Sequence, residues 1–281
     1  MIDLHSHILP GIDDGSPDME TSLAMARMAV AAGTEVLACT PHVTPGIYDN
    51  TAVTILSGIT ALRAALKEAQ IPLHLVAGCD AHVRPDMVEF LGKDIHYRLH
   101  GTRYFLFEPP HHVIPPQIDS LAQRLVEAGF VPVLTHPERL SWIGKRYDIL
   151  EKLNHVGCLI QVTAGSFTGI FGSRARELAF RLLEEGRVDI IASDGHNLTS
   201  RPPTMAKARD LVAELVGQEM AQDMVRQRPL QILRNAPVTP RYRQINPSRD
   251  RKARSRVEKT STGQRETPRW RGLFGAKGGS G

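Results

Sequence analysis

The chain has 281 residues, of which 42% are apolar and 23% charged, with a formal net charge of +4. That length holds one barrel-sized domain with a full core, since such barrels run to roughly 250 residues, and it excludes a small stapled module. The basic excess is local: residues 247–281 carry ten Lys/Arg against three Asp/Glu, leaving 24 basic and 27 acidic groups elsewhere, so no nucleic-acid partner is expected of the folded part.

The first apolar run, residues 1–4, ends at His5-Ser6-His7, and residues 19–32 follow as an amphipathic helix stopped by Gly33. Residues 36–39 lead into Thr40-Pro41-His42, with a second helix expected over 57–69. The runs 73–77 and 104–107 are followed by Asp80 and Glu108. Residues 115–128 predict a helix whose prolines occupy the first turn. Residues 131–134 end at Thr135-His136-Pro137, residues 158–162 at Thr163, and residues 188–192 at Ser193-Asp194-Gly195-His196. Further helices are expected over 147–155, 173–185 and 204–216, and a last one over 220–234 is expected to pack on the outside.

Seven short apolar runs separated by helices predict parallel β/α units. In β/α barrels functional groups gather at the C-terminal ends of the strands, so the polar residues that close these runs would converge on one rim. Residues i and i+2 of a strand share a face, which lets His5 and His7 address one ion, and Asp194 and His196 one cavity. A single strand-end histidine is more often a hydrogen-bonded residue than a ligand; the repetition from strand to strand favours a metal site. Imidazoles and carboxylates without cysteine favour Mn, Fe or Zn in a catalytic site over a structural zinc clip. The Asp13-Asp14-Gly15 turn is by default structural.

Other chemistries lack their parts. A cysteine phosphatase needs Arg six positions after its thiol, but Pro45, Pro85 and Ala164 stand six positions after Cys39, Cys79 and Cys158. No phosphate-cradling glycine motif is present, and residues 165–169 are expected to form a turn. Three cysteines in apolar runs, no leader-like start and no apolar stretch of about 18 residues predict a cytoplasmic protein. Two regions are expected: a folded domain over 1–240 and a basic, disordered tail over 241–281, able to attract an anionic membrane.

The motifs His5-Ser6-His7-Ile8-Leu9-Pro10-Gly11-Ile12-Asp13-Asp14-Gly15, Thr40-Pro41-His42, Thr135-His136-Pro137-Glu138-Arg139 and Ser193-Asp194-Gly195-His196 resemble the polymerase and histidinol phosphatase (PHP) superfamily. Within it they resemble the bacterial metal-dependent tyrosine phosphatases encoded with capsule or exopolysaccharide genes. The likeness covers residues 1–235 and implies a distorted (β/α)7 barrel with up to three metal ions. Carried over by motif, one ion would take His5, His7 and Asp194, a second Glu108 and His136, and a third Asp14, His42 and His196. Asp80 would bridge the first two, where relatives carry Glu. Arg139 and Arg201 match the family's phosphate-binding arginines, and paired guanidinium hydrogen bonds suit that role.

The resemblance implies a manganese-dependent protein-tyrosine phosphatase, with iron or zinc as alternative metals. Its partner would be a phosphotyrosine-bearing protein, namely a bacterial tyrosine autokinase that regulates polysaccharide export. Two rivals stay open: a phosphoesterase for a small monoester such as histidinol phosphate, and a non-catalytic metal-binding module tethered by its basic tail.

Overall fold

The computed structural model describes residues 1–242, so the expected tail over 241–281, apart from its first two positions, lies outside the described residues. Each apolar run forms parallel strand. These are β1 (Ile2–Asp3), β2 (Val36–Cys39), β3 (His42–Val43), β4 (His74–Ala77), β5 (Asp80–His82), β6 (Tyr104–Glu108), β7 (Val131–Thr135), β8 (Leu159–Thr163) and β9 (Ile190–Ala192). The second and third runs are each broken in two, β2 from β3 at Thr40-Pro41 and β4 from β5 at Gly78-Cys79. Pro41 has no N–H to give to a ladder, although its carbonyl accepts from Asp80 N at 3.0 Å.

The breaks divide the strands into two parallel sheets, β1-β2-β4 and β3-β5-β6-β7-β8-β9. A seam joins them where the continuation of β1 meets the continuation of β9. There Ser6 bridges Gly195 in parallel, His7 N donates to Gly195 O at 2.9 Å and Asp194 N to His5 O at 2.9 Å. Gly195 is required at that seam, because a Cβ there would lie 2.6 Å from Pro203 Cα.

The two faces of the strands divide the core. Ile2, Leu4, Ala38, Val76, Tyr104, Leu106, Val133, Leu159 and Ile190 form one buried cluster with Ile232, while Phe105, Phe107, Leu134, Ile160, Val162 and Ile191 pack in the larger cluster with the helices. Two residues beyond Leu106, Val133 and Leu159 on the same face come Glu108, Thr135 and Gln161. The inner face is therefore apolar below and polar above, which places the polar site on an apolar floor.

Helices α1 (Met19–Ala31), α5 (Tyr147–Val156), α7 (Gly172–Glu184) and α8 (Ala206–Val216) fall near their expected bounds. In α1 the Asp18 carboxylate accepts from Thr21 N at 2.8 Å and fixes the start. Helix α2 (Ala52–Glu68) begins five residues before the expected 57, because Thr51 and Thr54 form a capping box ahead of the Ala/Leu-rich stretch. Helix α4 (Ile118–Glu127) begins after Pro115 and Pro116, which stand outside the helix; Gln117 at φ +53° separates them from it. Helix α3 (Met87–Lys93) was not expected, and residues 164–168 form a short helix, α6 (Ala164–Thr168), where a turn was expected.

The C-terminal segment runs as α9 (Gln218–Gln222), a wider π-type turn (Asp223–Gln227) and α10 (Arg228–Leu233). It does not simply coat the outside. Ile232 is buried in the inner cluster, with Leu230, Leu233 and Val238 packed against it. Buried Arg228 donates to Asp189 Oδ1 at 2.8 Å, and the backbone of Arg241 donates to the same oxygen at 2.7 Å. This segment thus closes the apolar floor at the end away from the polar residues.

Candidate metal centre

His5 and His7 are fully buried, with Nε2 atoms 3.1 Å apart. Their Nδ1 atoms are occupied: Gln161 Oε1 lies 2.8 Å from His5 Nδ1 and Asp13 Oδ2 2.7 Å from His7 Nδ1. Asp13 also accepts from His42 N at 3.1 Å and Gly15 N at 2.9 Å, so one carboxylate ties the first loop to the second. Glycine is required at position 15, since a Cβ would meet His7 O at 2.1 Å. The Asp13-Asp14-Gly15 turn is therefore structural through Asp13 and Gly15, while Asp14 faces the cluster.

Around this pair the strand ends deliver the remaining residues. Asp194 Oδ1 stands 3.4 Å from both His5 Nε2 and His7 Nε2. Asp80 Oδ2 is 3.3 Å from His5 Nε2, 3.6 Å from His42 Nδ1 and 4.0 Å from His136 Nε2. Asp14 Oδ1 is 3.4 Å from His42 Nε2 and 3.5 Å from His196 Nε2. Glu108 Oε2 is 3.4 Å from His42 Nδ1.

Four groups bring their ligand atoms within 4.8 Å of one another: His7, Asp14, His42 and His196; His5, His7 and Asp80; Glu108, His111 and His136; and His42, Asp80 and Glu108. Eight of the nine residues expected as ligands fall in these groups, and Asp194, which is in none of them, adjoins His5 and His7 at 3.4 Å. His42 reaches two of the groups.

His111, His82 and Gln161 are not among the expected site residues, and Asp13, expected only as part of a structural turn, also supports His7. His111 follows Glu108 by three residues, outside the strand that marks the others; Ser141 N donates to its carbonyl at 2.9 Å and Trp142 Nε1 to the neighbouring Pro110 O at 3.0 Å. His82 lies one strand over, its Nδ1 3.5 Å from Glu108 Oε2. Both were visible only as histidines near a strand end.

The backbone is strained at two cluster residues. His136 has φ +36° and Asp194 φ +51°, left-handed values that cost a non-glycine residue roughly 1–3 kcal/mol and persist only when the surroundings enforce them. Both turns aim a side chain inward at a strand end.

The electrostatics fit a cation. Burial pushes the His5 imidazolium down, but Asp80 and Asp194 outweigh it and raise it to about 9. Burial likewise opposes charge on His42, which Glu108, Asp80 and Asp14 raise to about 10. Burial and then Arg139 hold His136 well below its ordinary value, and burial with His7 lowers His196 to about 4, so these two are neutral donors. Burial would raise the Asp194 carboxyl, yet His5, Arg201 and Arg139 hold it well below the usual carboxylate range. A field that draws protons onto imidazoles draws divalent cations in the same way, with release of those protons. Both oxygens of Asp80, His42 Nδ1 and His196 Nε2 are buried without a hydrogen-bond partner. Buried polar atoms are rarely left so, and a shared cation would satisfy them.

The two arginines stand at one flank. Arg139 and Arg201 both donate to Asp194 Oδ2, Arg201 at 2.7 Å. A loop turned by Asn197 Oδ1, which accepts from Arg201 N at 3.0 Å, presents Arg201. Arg139 lies over the Phe171 ring, its guanidinium carbon 4.2 Å from the centroid. The cysteines offer no alternative nucleophile: all three are buried, and burial raises Cys39 to about 12 and Cys79 well above its ordinary value.

Fold and site together define a class: parallel α/β proteins whose strand ends form a candidate polynuclear metal centre beside a pair of arginines. Residues 1–234 match the model of the family described as capsular polysaccharide synthesis, CpsB/CapC, and the chain belongs to that family. It is 35% identical over 201 residues to the tyrosine-protein phosphatase YwqE of Bacillus subtilis, covering 72% of this chain and 79% of that protein. It is 29% identical over 238 residues to the tyrosine-protein phosphatase CpsB of Streptococcus pneumoniae, covering 83% and 98%. A solved structure from work describing YwqE and CpsB as unique metal-dependent tyrosine phosphatases superposes with a TM-score of 0.82 at 32% identity, covering 85% of this chain and 97% of that one.

Proposed function

We propose that this chain is a metal-dependent protein-tyrosine phosphatase of capsule or exopolysaccharide synthesis. The observation that carries the reading is Asp80, whose two buried oxygens have no hydrogen-bond donor and which stands within 4.0 Å of ring nitrogens of His5, His42 and His136. The substrate class comes from the relatives, which are tyrosine-protein phosphatases.

In this reading His5, His7, Asp14, His42, Asp80, Glu108, His136, Asp194 and His196 hold up to three ions, with Mn²⁺ favoured by the mixed imidazole and carboxylate set. His111 joins Glu108 and His136. Divalent ions held there would neutralise phosphoryl charge and make water acidic enough to supply hydroxide near neutral pH.

The chain's own residues do the rest. Arg139 and Arg201 turn from Asp194 to the phosphoryl oxygens, binding them through forked hydrogen bonds. Gln161 and Asp13 hold His5 and His7 with their Nε2 lone pairs aimed inward. The departing tyrosine phenolate has a conjugate pKa near 10, so it needs little protonation to leave.

The physiological partner in this reading is a tyrosine autokinase of the polysaccharide export machinery, and the compartment is the cytoplasm. Support for a reducing compartment comes from three buried cysteines, none within a disulfide framework expected from the sequence. Among the described residues no helix is long and apolar enough to cross a membrane.

The test measures metal content together with turnover of a phosphotyrosyl peptide, histidinol phosphate and p-nitrophenyl phosphate, before and after chelation. Turnover of the peptide should far exceed that of histidinol phosphate, vanish with chelator and return best with Mn²⁺. Undiminished turnover by metal-free protein would sink the mechanism, and a preference for histidinol phosphate would reassign the substrate.

A further inference from the structure

Helix α6 packs against α8, and a cavity of about 240 Å³ lies beside the arginine flank of the metal centre. Phe171, Ile170, Thr168 and Pro202 wall it, and its charged lining residues are Arg201 and Lys207. No carboxylate lines it. Gly165 shapes the wall, because a Cβ there would lie 2.9 Å from Phe171 Cε2 and 3.3 Å from Ile170 Cβ.

Arg201 belongs to both places. Its Nη2 is 2.7 Å from Asp194 Oδ2 in the cluster, and its side chain also borders the cavity. A phosphate engaged by Arg201 therefore sits at the cavity's mouth, and the chain bearing that phosphate runs past it. A pocket for the bare aryl ring would not need a second cation. An apolar wall with a lysine beside the arginine suits a second carboxylate on the same peptide, with the methylenes of its side chain against Phe171 and Ile170. Lys207 is exposed on α8, free of the metal cluster, and the residues nearest a phosphotyrosine lie within two steps of roughly 3.5 Å each.

We propose that this cavity is a subsite for an acidic residue lying within two positions of the phosphotyrosine in the protein substrate, with Lys207 as the specificity-determining residue. The proposal rests on the phosphatase reading above and adds to it a sequence preference.

The experiment uses the full chain loaded with Mn²⁺ and phosphotyrosyl peptides carrying Glu, Ala or Lys at each of the two positions on either side. Rates are normalised to p-nitrophenyl phosphate, which carries no flanking residue and so reports turnover without the proposed charge contact. The parent should favour Glu over Lys at one of these positions by roughly three- to tenfold in kcat/KM, the size expected of a partly exposed charge pair and its reversal. Lys207→Ala should flatten that preference and Lys207→Glu should invert it. An absence of preference in the parent, or the same preference in Lys207→Glu, overturns the subsite while the phosphatase reading stands. A parent that turns over p-nitrophenyl phosphate but no peptide also overturns it. Inertness towards every ester, p-nitrophenyl phosphate included, defeats the phosphatase reading itself and the subsite with it.

Discussion

His5 and His7 point their Nε2 atoms at each other across 3.1 Å, while Gln161 and Asp13 occupy the opposite ring nitrogens. With each Nδ1 donating its hydrogen to an oxygen, two Nε2 lone pairs face one another, and only a proton or a metal cation between them makes the pair favourable. In the proposed reading the two supporting residues orient the pair for a metal ion. Gln161→Ala and Asp13→Ala should each weaken metal binding by roughly 10- to 100-fold, whereas His5→Ala should remove a ligand outright. Titration of the apo-protein with Mn²⁺ by calorimetry checks the order; parent-like affinity in Gln161→Ala would remove that residue from the support of His5.

Asp80 supplies a second prediction. It stands within 4.0 Å of ring nitrogens of His5, His42 and His136, although it is one methylene shorter than the Glu that the family resemblance implies there. Asp80→Ala should lose at least one ion per chain and nearly all turnover, since active two-metal sites hold their ions about 3.5–4 Å apart and need a bridging group. Asp80→Glu should keep or raise activity. Metal stoichiometry by elemental analysis with rates on p-nitrophenyl phosphate decides; full activity in Asp80→Ala would remove Asp80 from the site.

Arg139 and Arg201 meet at a single oxygen of Asp194. Replacing either by Ala should raise KM or lower kcat by roughly 10- to 1,000-fold for one lost charge-assisted contact. Lys should restore the charge without the planar fork, and so only part of the rate. Steady-state kinetics on a phosphotyrosyl peptide measure this, and parent-like rates in both Ala variants would show the phosphate pocket to be elsewhere.

A fourth prediction concerns stability. Burial raises the Asp189 carboxyl to about 6, against the opposing pull of Arg228 and of the Ile160 and Arg241 backbone donors. Between pH 4 and 6 the folded chain then holds a proton there that the unfolded chain has lost. Its contribution to stability therefore falls as pH rises through that window and is constant above it. Asp189→Asn removes the contribution, so its unfolding free energy relative to the parent should climb from pH 4 to pH 6 and then level off. Urea unfolding of both proteins at pH 4, 5, 6 and 7 reads the difference; a flat difference throughout would mean that Asp189 titrates normally.

How far the sequence could be read depends on what each feature needs. Strand-end residues such as His42, Glu108 and His136 announce themselves because an apolar run of known length delivers each to the same rim. His111 does not, because the loop that returns it is held by Ser141 and Trp142, about thirty residues away. The true start of helix α2 is not legible in an apolar count, because the Thr51–Thr54 cap that sets it is polar. The last helices were assigned to the outside because amphipathicity tells that one face is buried but not against what; Ile232 buries it against the inner floor.

The seam between the first and last strands has a consequence for synthesis. Ser193 N donates to Asp3 Oδ1 across 190 positions, and His5 and His7 share the cluster with Asp194. During synthesis His5 and His7 are made 187 or more residues before Asp194, so they cannot be enclosed until β9 has been made. Contacts so distant in sequence form slowly, because the loop between them must be closed first. The half of the cluster made first, with His5, His7, Asp14 and His42, thus stays open until Asp194 and His196 have been made, and an ion met before then would lack those two donors.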